Sequence, residues 1–388
     1  MPLTLAKHIE VALRQALPDR QQYFLHEPQF EGNEWKYVKS CIDDGWVSSA
    51  GAFVDRFEAD LARYTGVKHA VVCVNGTAAL HIALKLVGVQ PGDEVLTPAL
   101  TFVATANAIS YCEAAPVFVD SSLDDFGVDA LRLADFLAAE TTLQDDVCIN
   151  NTSGKVVRAI VPVHVFGHPC RMDQLKTVCD KYHIAIVEDA TEALGTSFLD
   201  KHIGGWGPAS VLSFNGNKII TTGGGGAILT NNTALAERAK HITTTGKTPH
   251  RWAYHHDEIA YNYRMPNINA ALGCAQLEAL DGMIEHKRAL ADRYASAFSS
   301  VEGVQFVQEP ADSRSNYWLN AIILDPDQAQ FRDEILKHLT DAGIHVRPVW
   351  ELLSDLPMYQ DCQRADLTQA RSLADRIINI PSSADLTA

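Results

Sequence analysis

The sequence of 388 residues has no run approaching the roughly 20 apolar residues of a membrane-spanning helix. It is also poor in basic residues, since 32 Lys and Arg stand against 48 Asp and Glu and the formal net charge is −16. This charge repels a phosphate backbone, so nucleic acid is not expected as a partner. A small anionic ligand would need local backbone N–H groups, a helix N-terminus or single cations to hold it.

The eight cysteines are scattered through mostly apolar runs without any Cys-x-x-Cys pair. The first 18 residues alternate charged and apolar side chains and lack the apolar stretch of a secretion signal. We therefore expect reduced, mostly buried thiols in a cytoplasmic protein that does not associate with membranes. His164, His168, His255 and His256 match no HExxH or other metal-ligand pattern, so no metal is expected.

The composition, with 47% hydrophobic and 21% charged residues, is typical of a globular protein of about two domains. From about residue 60 to 230, short β-branched runs alternate with amphipathic helical patterns, which predicts a mostly parallel sheet covered on both faces. Beyond about residue 250, a long helical pattern over 270–298 and later short elements predict a smaller α+β unit. Residues 243–267 between them are rich in aromatics, His and Asn, which is typical of a functional loop.

The first motif with chemical meaning is Asn75-Gly76-Thr77, which leads from an apolar run directly into a helical pattern. Thr77 is therefore expected at a helix N-terminus beside the carboxyl end of a strand, where α/β folds bind anions. Thr77 serving only as a helix cap explains the same pattern.

Two acids, Glu188 and Asp189, end the apolar run His183–Val187 and precede what we predict to be the start of a helix. A carboxylate at this end of a buried parallel strand points into the ligand crevice and needs a cationic partner. The alternative is an Asp helix cap beside a solvated Glu.

Lys218 stands between the apolar run 210–214 and a turn that contains Gly223–Gly226. A partly desolvated lysine is a nucleophilic amine that can form a Schiff base with an aldehyde. A lysine whose amine simply reaches solvent beside a flexible loop would give the same pattern.

Together these groups match the needs of pyridoxal phosphate. Gly76 and Thr77 offer a helix terminus for the phosphate, and Phe102 offers a flat side chain for the ring. Asp189 can keep the pyridine nitrogen protonated, and Lys218 supplies the amine. The combination predicts this cofactor more specifically than any single motif.

Segments along the whole chain resemble the DegT/StrS family of sugar aminotransferases. They are NGTAALHIAL, TPALTFVATANAI, PVFVD, VHVFGH, IVEDATEALG, SFNGNK with IITTGGGGAI, and YNYRMPNINAALGCAQLE. The resemblance implies the α/β aspartate-aminotransferase fold, with a mostly parallel seven-stranded sheet in a large domain and a smaller C-terminal α+β domain. We expect an N-terminal helical extension over 1–30, the large domain over 31–250 and the small domain over 251–388.

The resemblance also implies roles for individual residues. Lys218 would bind the cofactor aldehyde and carry protons, Asp189 would pair with the ring nitrogen, and Phe102 would stack on the ring. The remaining cofactor contacts would be Gly76, Thr77 and Ser213 at the phosphate, Glu192, where many relatives carry Gln, near the ring hydroxyl, and Asn262 from the neighbouring subunit. Asn262 thereby implies a homodimer with shared sites. Sugar-nucleotide contacts would come from Trp46, Ser48, Ser49 and Tyr317, for which packing or capping is an equal alternative.

The implied reaction moves an amino group from glutamate, through pyridoxamine phosphate, to a keto sugar. Segments 25–58 and 250–265 most resemble enzymes that aminate C4 of UDP-4-keto-6-deoxy-N-acetylhexosamines, as in bacillosamine and legionaminic acid pathways, which predicts a surface-glycan precursor such as one for O-antigen. Alternatives are GDP- or dTDP-linked keto sugars aminated at C4 or C3. A non-catalytic relative is disfavoured by Lys218, Asp189 and Thr77, and a dinucleotide-binding enzyme by the lack of GxGxxG after the first strand.

Overall fold

The computed structural model describes residues 2–387 and is built around one seven-stranded sheet. Its strands are β1 (His69–Cys73), β2 (Glu94–Pro98), β3 (Ala115–Val119), β4 (Val157–Ile160), β5 (Ala185–Asp189), β6 (Ala209–Ser213) and β7 (Gly226–Thr230), in the spatial order β1-β7-β6-β5-β4-β2-β3. Only β7 runs antiparallel to its neighbours, β1 and β6. The predicted mostly parallel sheet of seven strands is confirmed.

Both faces of this sheet are buried. Side chains alternate along each strand, so adjacent residues lie on opposite faces. Val71 of β1 and Val95 of β2 belong to the core beneath one face, whereas Val72 and Leu96 belong to the core beneath the other. The near-continuous apolar runs of the sequence are therefore those of strands sandwiched between two helical layers.

The described chain contains eleven α-helices. They are α1 (Pro2–Ala16), α2 (Glu34–Asp43), α3 (Ala52–Thr65), α4 (Gly76–Leu86), α5 (Ala104–Tyr111), α6 (Ala130–Glu140), α7 (Met172–Lys181), α8 (Thr233–Thr243), α9 (Asn267–Phe298), α10 (Arg332–Asp341) and α11 (Thr368–Arg376). The helix predicted after Asp189 is wrong, since residues 190–195 form turns. The side-chain amide of Asn316 donates to the carbonyls of Glu192 and Leu194, which occupies acceptors that a helix would use.

The C-terminal part contains an antiparallel four-stranded sheet in the order Val304–Phe306, Asn320–Leu324, Ile377–Ile380 and Arg347–Pro348. Helix α1 packs here, because Ile9 and Leu13 share a buried cluster with Leu290 and Tyr294 of α9. The N-terminal helix thus lies against the C-terminal elements, and the domain limits at residues 30 and 250 stay predictions.

All eight cysteines are free thiols, seven of them buried and Cys362 partly buried, as expected. Within residues 2–387, no helix combines the length and apolar character needed to cross a bilayer.

Strand ends bring the motifs together at one edge of the large sheet. Gly226, the first residue of β7, is paired with Cys73 at the end of β1 and with Ser213 at the end of β6. Asp189 ends the neighbouring strand β5, and the Asn75–Thr77 turn follows β1 directly. This edge, where the parallel strands have their carboxyl ends, is where open α/β sheets place ligand sites.

Candidate active site

A cavity of about 710 Å³ lies at this edge. It is lined by the cofactor-binding residues that we predicted within one chain, namely Gly76, Thr77, Phe102, Asp189, Glu192, Ser213 and Lys218. Elements separated by more than a hundred positions in the sequence therefore converge on one space. Their roles toward a cofactor remain predictions.

The amine of Lys218 points into a confined, partly apolar environment. Its Nζ lies 3.3 Å from Oε1 of Glu192 and 3.9 Å from the centroid of the Trp318 ring, and 13% of the Lys218 side chain is exposed. A cation over an indole face is attracted by the negative face of the ring. The indole and the carboxylate thus hold the amine at one position in the cavity.

The carboxylate of Glu192 is fixed at both of its oxygens. Oε2 accepts a 2.8 Å hydrogen bond from the backbone N–H of Phe166, while Oε1 faces Lys218. Burial raises the pKa of Glu192, and the charge of Lys218 opposes that effect. Glu192 is therefore a rigid acceptor, which suits the predicted contact to a hydroxyl.

Asp189 presents a second buried carboxylate. Its Oδ2 accepts from the hydroxyl of Thr105 at 2.8 Å and its Oδ1 accepts from the backbone N–H of Thr191 at 3.2 Å. The preceding residue, Glu188, points to the opposite face of the strand and accepts from three backbone N–H groups, those of Gly204, Trp206 and Gly207. Only Asp189 of the two acids faces the cavity.

The start of α4 forms a close-fitting wall. The side chain of Asn75 caps the helix by accepting from the N–H of Ala78 at 2.8 Å, so the first helical amides, those of Gly76 and Thr77, lie ahead of the helical hydrogen bonds. A Cβ added at Gly76 would lie 3.0 Å from Cβ of Ser213. A phosphate group fits this wall. The amides of Gly76 and Thr77 and the hydroxyl of Ser213 can bind it, and Gly76 has no side chain that would block its approach.

Five predicted site residues lie outside this cavity. Asn262 is exposed and bridges to Thr244, so it does not reach the cavity of its own chain. Trp46, Ser48 and Ser49 lie on a loop that Asn267 holds, through a 2.7 Å bond to the Trp46 carbonyl and a 2.6 Å bond to the Ser48 carbonyl.

Tyr317 is buried, 6% exposed, and its hydroxyl accepts from the N–H of Glu309. Its placement gives it a packing role in this chain, and the neighbouring Trp318 lines the cavity instead.

Several cavity residues were not singled out from the sequence. Thr105 holds Asp189, and Trp318, whose indole N–H donates to the Asn217 carbonyl at 2.7 Å, flanks Lys218. Arg347 and Asn379 enter from the small sheet. Thr105 lies three positions after Phe102 within the motif TPALTFVATANAI, so it could have been predicted from the sequence. The residues of the small sheet carry no local sequence signal of a site.

The histidines that we considered as metal ligands are separated. His164 and His168 are buried, and Nε2 of His164 lies 3.6 Å from Glu188, while His255 and His256 are exposed on a short hairpin. The potential ligand atoms of His241, Asp257 and Glu258 lie together at the surface of the described chain, where Arg238 already pairs with Glu258. The absence of a metal stays a prediction.

Comparison with known proteins gives the same assignment along nearly the whole chain. Residues 28–388 match the DegT/DnrJ/EryC1/StrS aminotransferase family. The chain belongs to this family. It is 38% identical over 363 residues to GDP-perosamine synthase of Escherichia coli O157:H7, covering 94% of each protein. It is 35% identical over 371 residues to the putative pyridoxal phosphate-dependent aminotransferase EpsN of Bacillus subtilis, covering 95% of this chain and 92% of EpsN.

The fold is also that of solved relatives. The aminotransferase PseC of Helicobacter pylori, which is involved in pseudoaminic acid biosynthesis, superimposes with a TM-score of 0.85 at 25% identity over 94% of this chain and 95% of PseC. The predicted aspartate-aminotransferase fold and the predicted cofactor are confirmed at the level of the family. The protein is a pyridoxal phosphate-dependent sugar-nucleotide aminotransferase.

Proposed function

We propose that this enzyme transfers the amino group of glutamate to the C4 keto group of a GDP-linked 4-keto-6-deoxyhexose. The observation that supports GDP is the 38% identity to a GDP-perosamine synthase across 94% of both chains. The UDP-linked 4-keto-6-deoxy-N-acetylhexosamine expected from segments 25–58 and 250–265 is the competing substrate. This UDP-linked sugar remains an alternative because segments 25–58 and 250–265 lie outside the cofactor motifs and therefore bear more directly on which sugar is bound.

The residues of the cavity supply the parts that such a transfer needs. When bound, pyridoxal phosphate supplies an aldehyde for the amino group and a ring that withdraws electrons from the reacting carbon. Lys218 removes the Cα proton of glutamate in one half-reaction and delivers a proton to C4 of the sugar in the other. Asp189 holds a proton on the ring nitrogen, and the Thr105 hydroxyl orients that carboxylate.

The remaining contacts position the cofactor around this chemistry. The amides of Gly76 and Thr77 and the Ser213 hydroxyl bind its phosphate at the start of α4, and Phe102 stacks on its ring. Glu192 accepts from the ring hydroxyl and keeps the Lys218 amine in place between its turns as proton acceptor and donor.

The test is turnover with a panel of keto sugars. Holoenzyme and glutamate are incubated with GDP-, UDP- and dTDP-linked 4-keto-6-deoxyhexoses, including the UDP-linked N-acetylated form, and kcat/KM is measured by mass spectrometry of the amino sugar. We expect the GDP sugar to lead by more than about 10-fold, a difference that contacts to one group can supply. A lead of the UDP-linked N-acetylated sugar would reverse the nucleotide assignment.

A matched pair of variants tests the role of the lysine. Lys218→Ala should abolish turnover while the protein still binds pyridoxal phosphate non-covalently, and the exposed Lys68→Ala should behave as the wild type. After treatment with borohydride, which reduces a lysine Schiff base to a stable amine, the cofactor should stay attached to denatured Lys68→Ala and be released from denatured Lys218→Ala, as followed by absorbance. Full activity in Lys218→Ala would contradict the mechanism.

We further propose a homodimer in which Asn262 completes the site of the partner. Asn262 is exposed, and the loop before it carries Trp252, Tyr254 and Ile259 with 77%, 82% and 96% exposure, which favours burial against a second copy. Mixing Lys218→Ala with Asn262→Ala chains tests this, since a shared heterodimer contains one intact site. Recovered activity is expected, and inactive mixtures that exchange subunits would contradict shared sites.

A further inference from the structure

Two polar residues of the small C-terminal sheet line the catalytic cavity, although they lie far from the cofactor motifs in the sequence. Arg347 and Asn379 are directly paired on adjacent antiparallel strands, Arg347–Pro348 and Ile377–Ile380, and both line the cavity. Directly opposite residues of an antiparallel pair project on the same face of the sheet, with Cβ atoms about 5 Å apart. The two side chains therefore act at one place.

The side-chain hydrogen-bond donors of Arg347 and Asn379 are not used by other groups of the described chain. Arginines elsewhere in the described chain are commonly paired with acids, as Arg371 is with Asp355 and Arg288 with Glu309. Among residues 2–387, no carboxylate lies within ion-pair distance of Arg347. The Nδ2 of Asn379 is buried without a hydrogen-bond partner in a residue that is 4% exposed. A buried amide donor without a partner costs stability unless a ligand satisfies it.

Charge in the cavity favours an anion at this pair. The charged residues that line the cavity are Asp189, Glu192, Lys218 and Arg347. Lys218 faces Glu192 at 3.3 Å, and in the proposed function Asp189 pairs with the protonated ring nitrogen of the cofactor, so these three charges are balanced without Arg347. Arg347 is left to neutralise a negative group of an incoming substrate in a chain whose formal net charge is −16.

We propose that Arg347 and Asn379 form an oxyanion subsite that receives an anionic group of a substrate. The guanidinium presents two parallel N–H donors that match a carboxylate or a phosphate oxygen pair, and the Asn379 amide adds a third donor. The proposal rests on the proposed function, which supplies two sources of this chemistry. These are a carboxylate of glutamate and the diphosphate of the sugar nucleotide.

The experiment compares three variants with a control. Arg347→Gln removes the charge, Arg347→Lys keeps the charge without the fork, and Asn379→Leu removes the buried donor at similar volume. The control is Arg293→Gln, an exposed arginine of α9 that does not line the cavity. In a double-displacement reaction, kcat/KM for glutamate and kcat/KM for the sugar nucleotide each report one half-reaction, so the two sources are measured separately.

We expect Arg347→Gln to lower one of these values by roughly 10- to 100-fold, the effect of losing hydrogen bonds to a charged group. Arg347→Lys should recover part of the loss, Asn379→Leu should lower the same value, and Arg293→Gln should match the wild type. Calorimetric binding of glutarate and of GDP to the holoenzyme gives a readout independent of turnover, and the affected ligand should be the same one.

Each outcome has a distinct meaning. Loss confined to glutamate and glutarate assigns the subsite to the carboxylate, loss confined to the sugar and GDP assigns it to the diphosphate, and loss in both assigns it to both. Variants that keep wild-type values with glutamate, sugar, glutarate and GDP overturn the subsite. A wild-type enzyme that aminates no keto sugar refutes the proposed function instead, which separates the two failures.

Discussion

The amine of Lys218 and the carboxylate of Glu192 face each other at 3.3 Å, with 13% and 3% of their side chains exposed. The carboxylate is fixed from behind by the Phe166 N–H and the amine is bounded on another side by the Trp318 ring. This pair joins two opposing effects, because burial raises the pKa of Glu192 whereas the lysine charge lowers it. Its consequences for stability follow directly.

Glu192→Gln should make the protein less sensitive to rising pH. Because the folded-state pKa of Glu192 is raised above its unfolded value, folding gains from its protonation at low pH and loses that gain as pH rises through the folded-state pKa. Gln keeps an acceptor for Phe166 and does not titrate. Urea unfolding at pH 5 and pH 8 should therefore show the stability of the variant, relative to wild type, increasing with pH.

Glu278→Gln is the matched control for that experiment. Glu278 is buried to a lesser degree, and hydrogen bonds from Asn33, Tyr37 and Arg56 outweigh the effect of burial and lower its pKa. Its contribution is present above the unfolded pKa of about 4.3 and is lost only on acidification below it, so the stability of this variant relative to wild type should hardly change between pH 5 and pH 8. A Glu192→Gln variant whose relative stability is equally constant between pH 5 and pH 8 would contradict the assignment of Glu192.

Asp189 and Thr105 should differ in how much they contribute to turnover. Asp189→Asn removes the charge that would hold a proton on the cofactor ring, and we expect kcat to fall by about 10²- to 10³-fold, as for loss of one electrostatic contact to reacting groups. Thr105→Val removes only the 2.8 Å hydrogen bond to that carboxylate and should cost about 10-fold.

Thr105→Ser keeps a hydroxyl at the same place and serves as the control, with activity near that of the wild type. Steady-state kinetics with saturating pyridoxal phosphate checks all three variants. An Asp189→Asn enzyme as active as Thr105→Ser would remove Asp189 from the mechanism.

The large sheet could be predicted from the sequence because its strands carry their own signal. Val71 and Val72 are both apolar since each faces a different buried layer, and the same holds for Val95 and Leu96. The turn after Asp189 could not be predicted, because it depends on the side-chain amide of Asn316, which lies far along the chain.

The site residues likewise include some that the sequence predicts and others that it does not. Asp189 ends β5, and Thr77 and Lys218 follow the ends of β1 and β6 by four and five residues, so their sequence positions indicate which edge of the sheet they reach. Arg347 and Asn379 reach the cavity only because two short strands of the small sheet pair in one register, which no local pattern reports. Trp318, rather than Tyr317, lines the cavity for a related reason, since neighbouring residues there face different surroundings.

The four consecutive glycines, Gly223–Gly226, should not be equally replaceable. A Cβ at Gly226 would lie 2.6 Å from the backbone carbonyl of Asn75, where the turn into α4 leaves no room, whereas a Cβ at Gly224 would meet nothing closer than 3.9 Å. Gly226→Ala should therefore destabilise the protein by about 1–3 kcal/mol and weaken cofactor binding, because backbone must shift to admit the methyl group.

Gly224→Ala should stay within about 0.5 kcal/mol of the wild type. Urea unfolding of the apoprotein and titration with pyridoxal phosphate measure both effects. Equal behaviour of the two variants would show that the start of α4 tolerates displacement and that its close fit is not required.

Lys287 of α9 should give the protein a pH dependence of its own. The side chain is 1% exposed, and its amine donates to the carbonyls of Trp318 and Ser382, which ties α9 to the segment that flanks Lys218. Burial lowers the pKa of Lys287 to about 7, against an opposing effect of Asp385. Between this value and the unfolded pKa of about 10.4, the unfolded chain binds a proton that the folded chain lacks, so stability from this group rises with pH.

Lys287→Met removes both the titration and the two hydrogen bonds. The wild type should therefore gain stability over the variant as pH increases from 7 to 9.5, and the exposed Lys36→Met should follow the wild type at both values. Urea unfolding at the two pH values measures the difference, and Trp fluorescence reports whether Trp318 has moved. Parallel pH profiles for wild type and Lys287→Met would mean that the buried amine stays charged, with its two carbonyl partners holding a cation rather than a neutral amine.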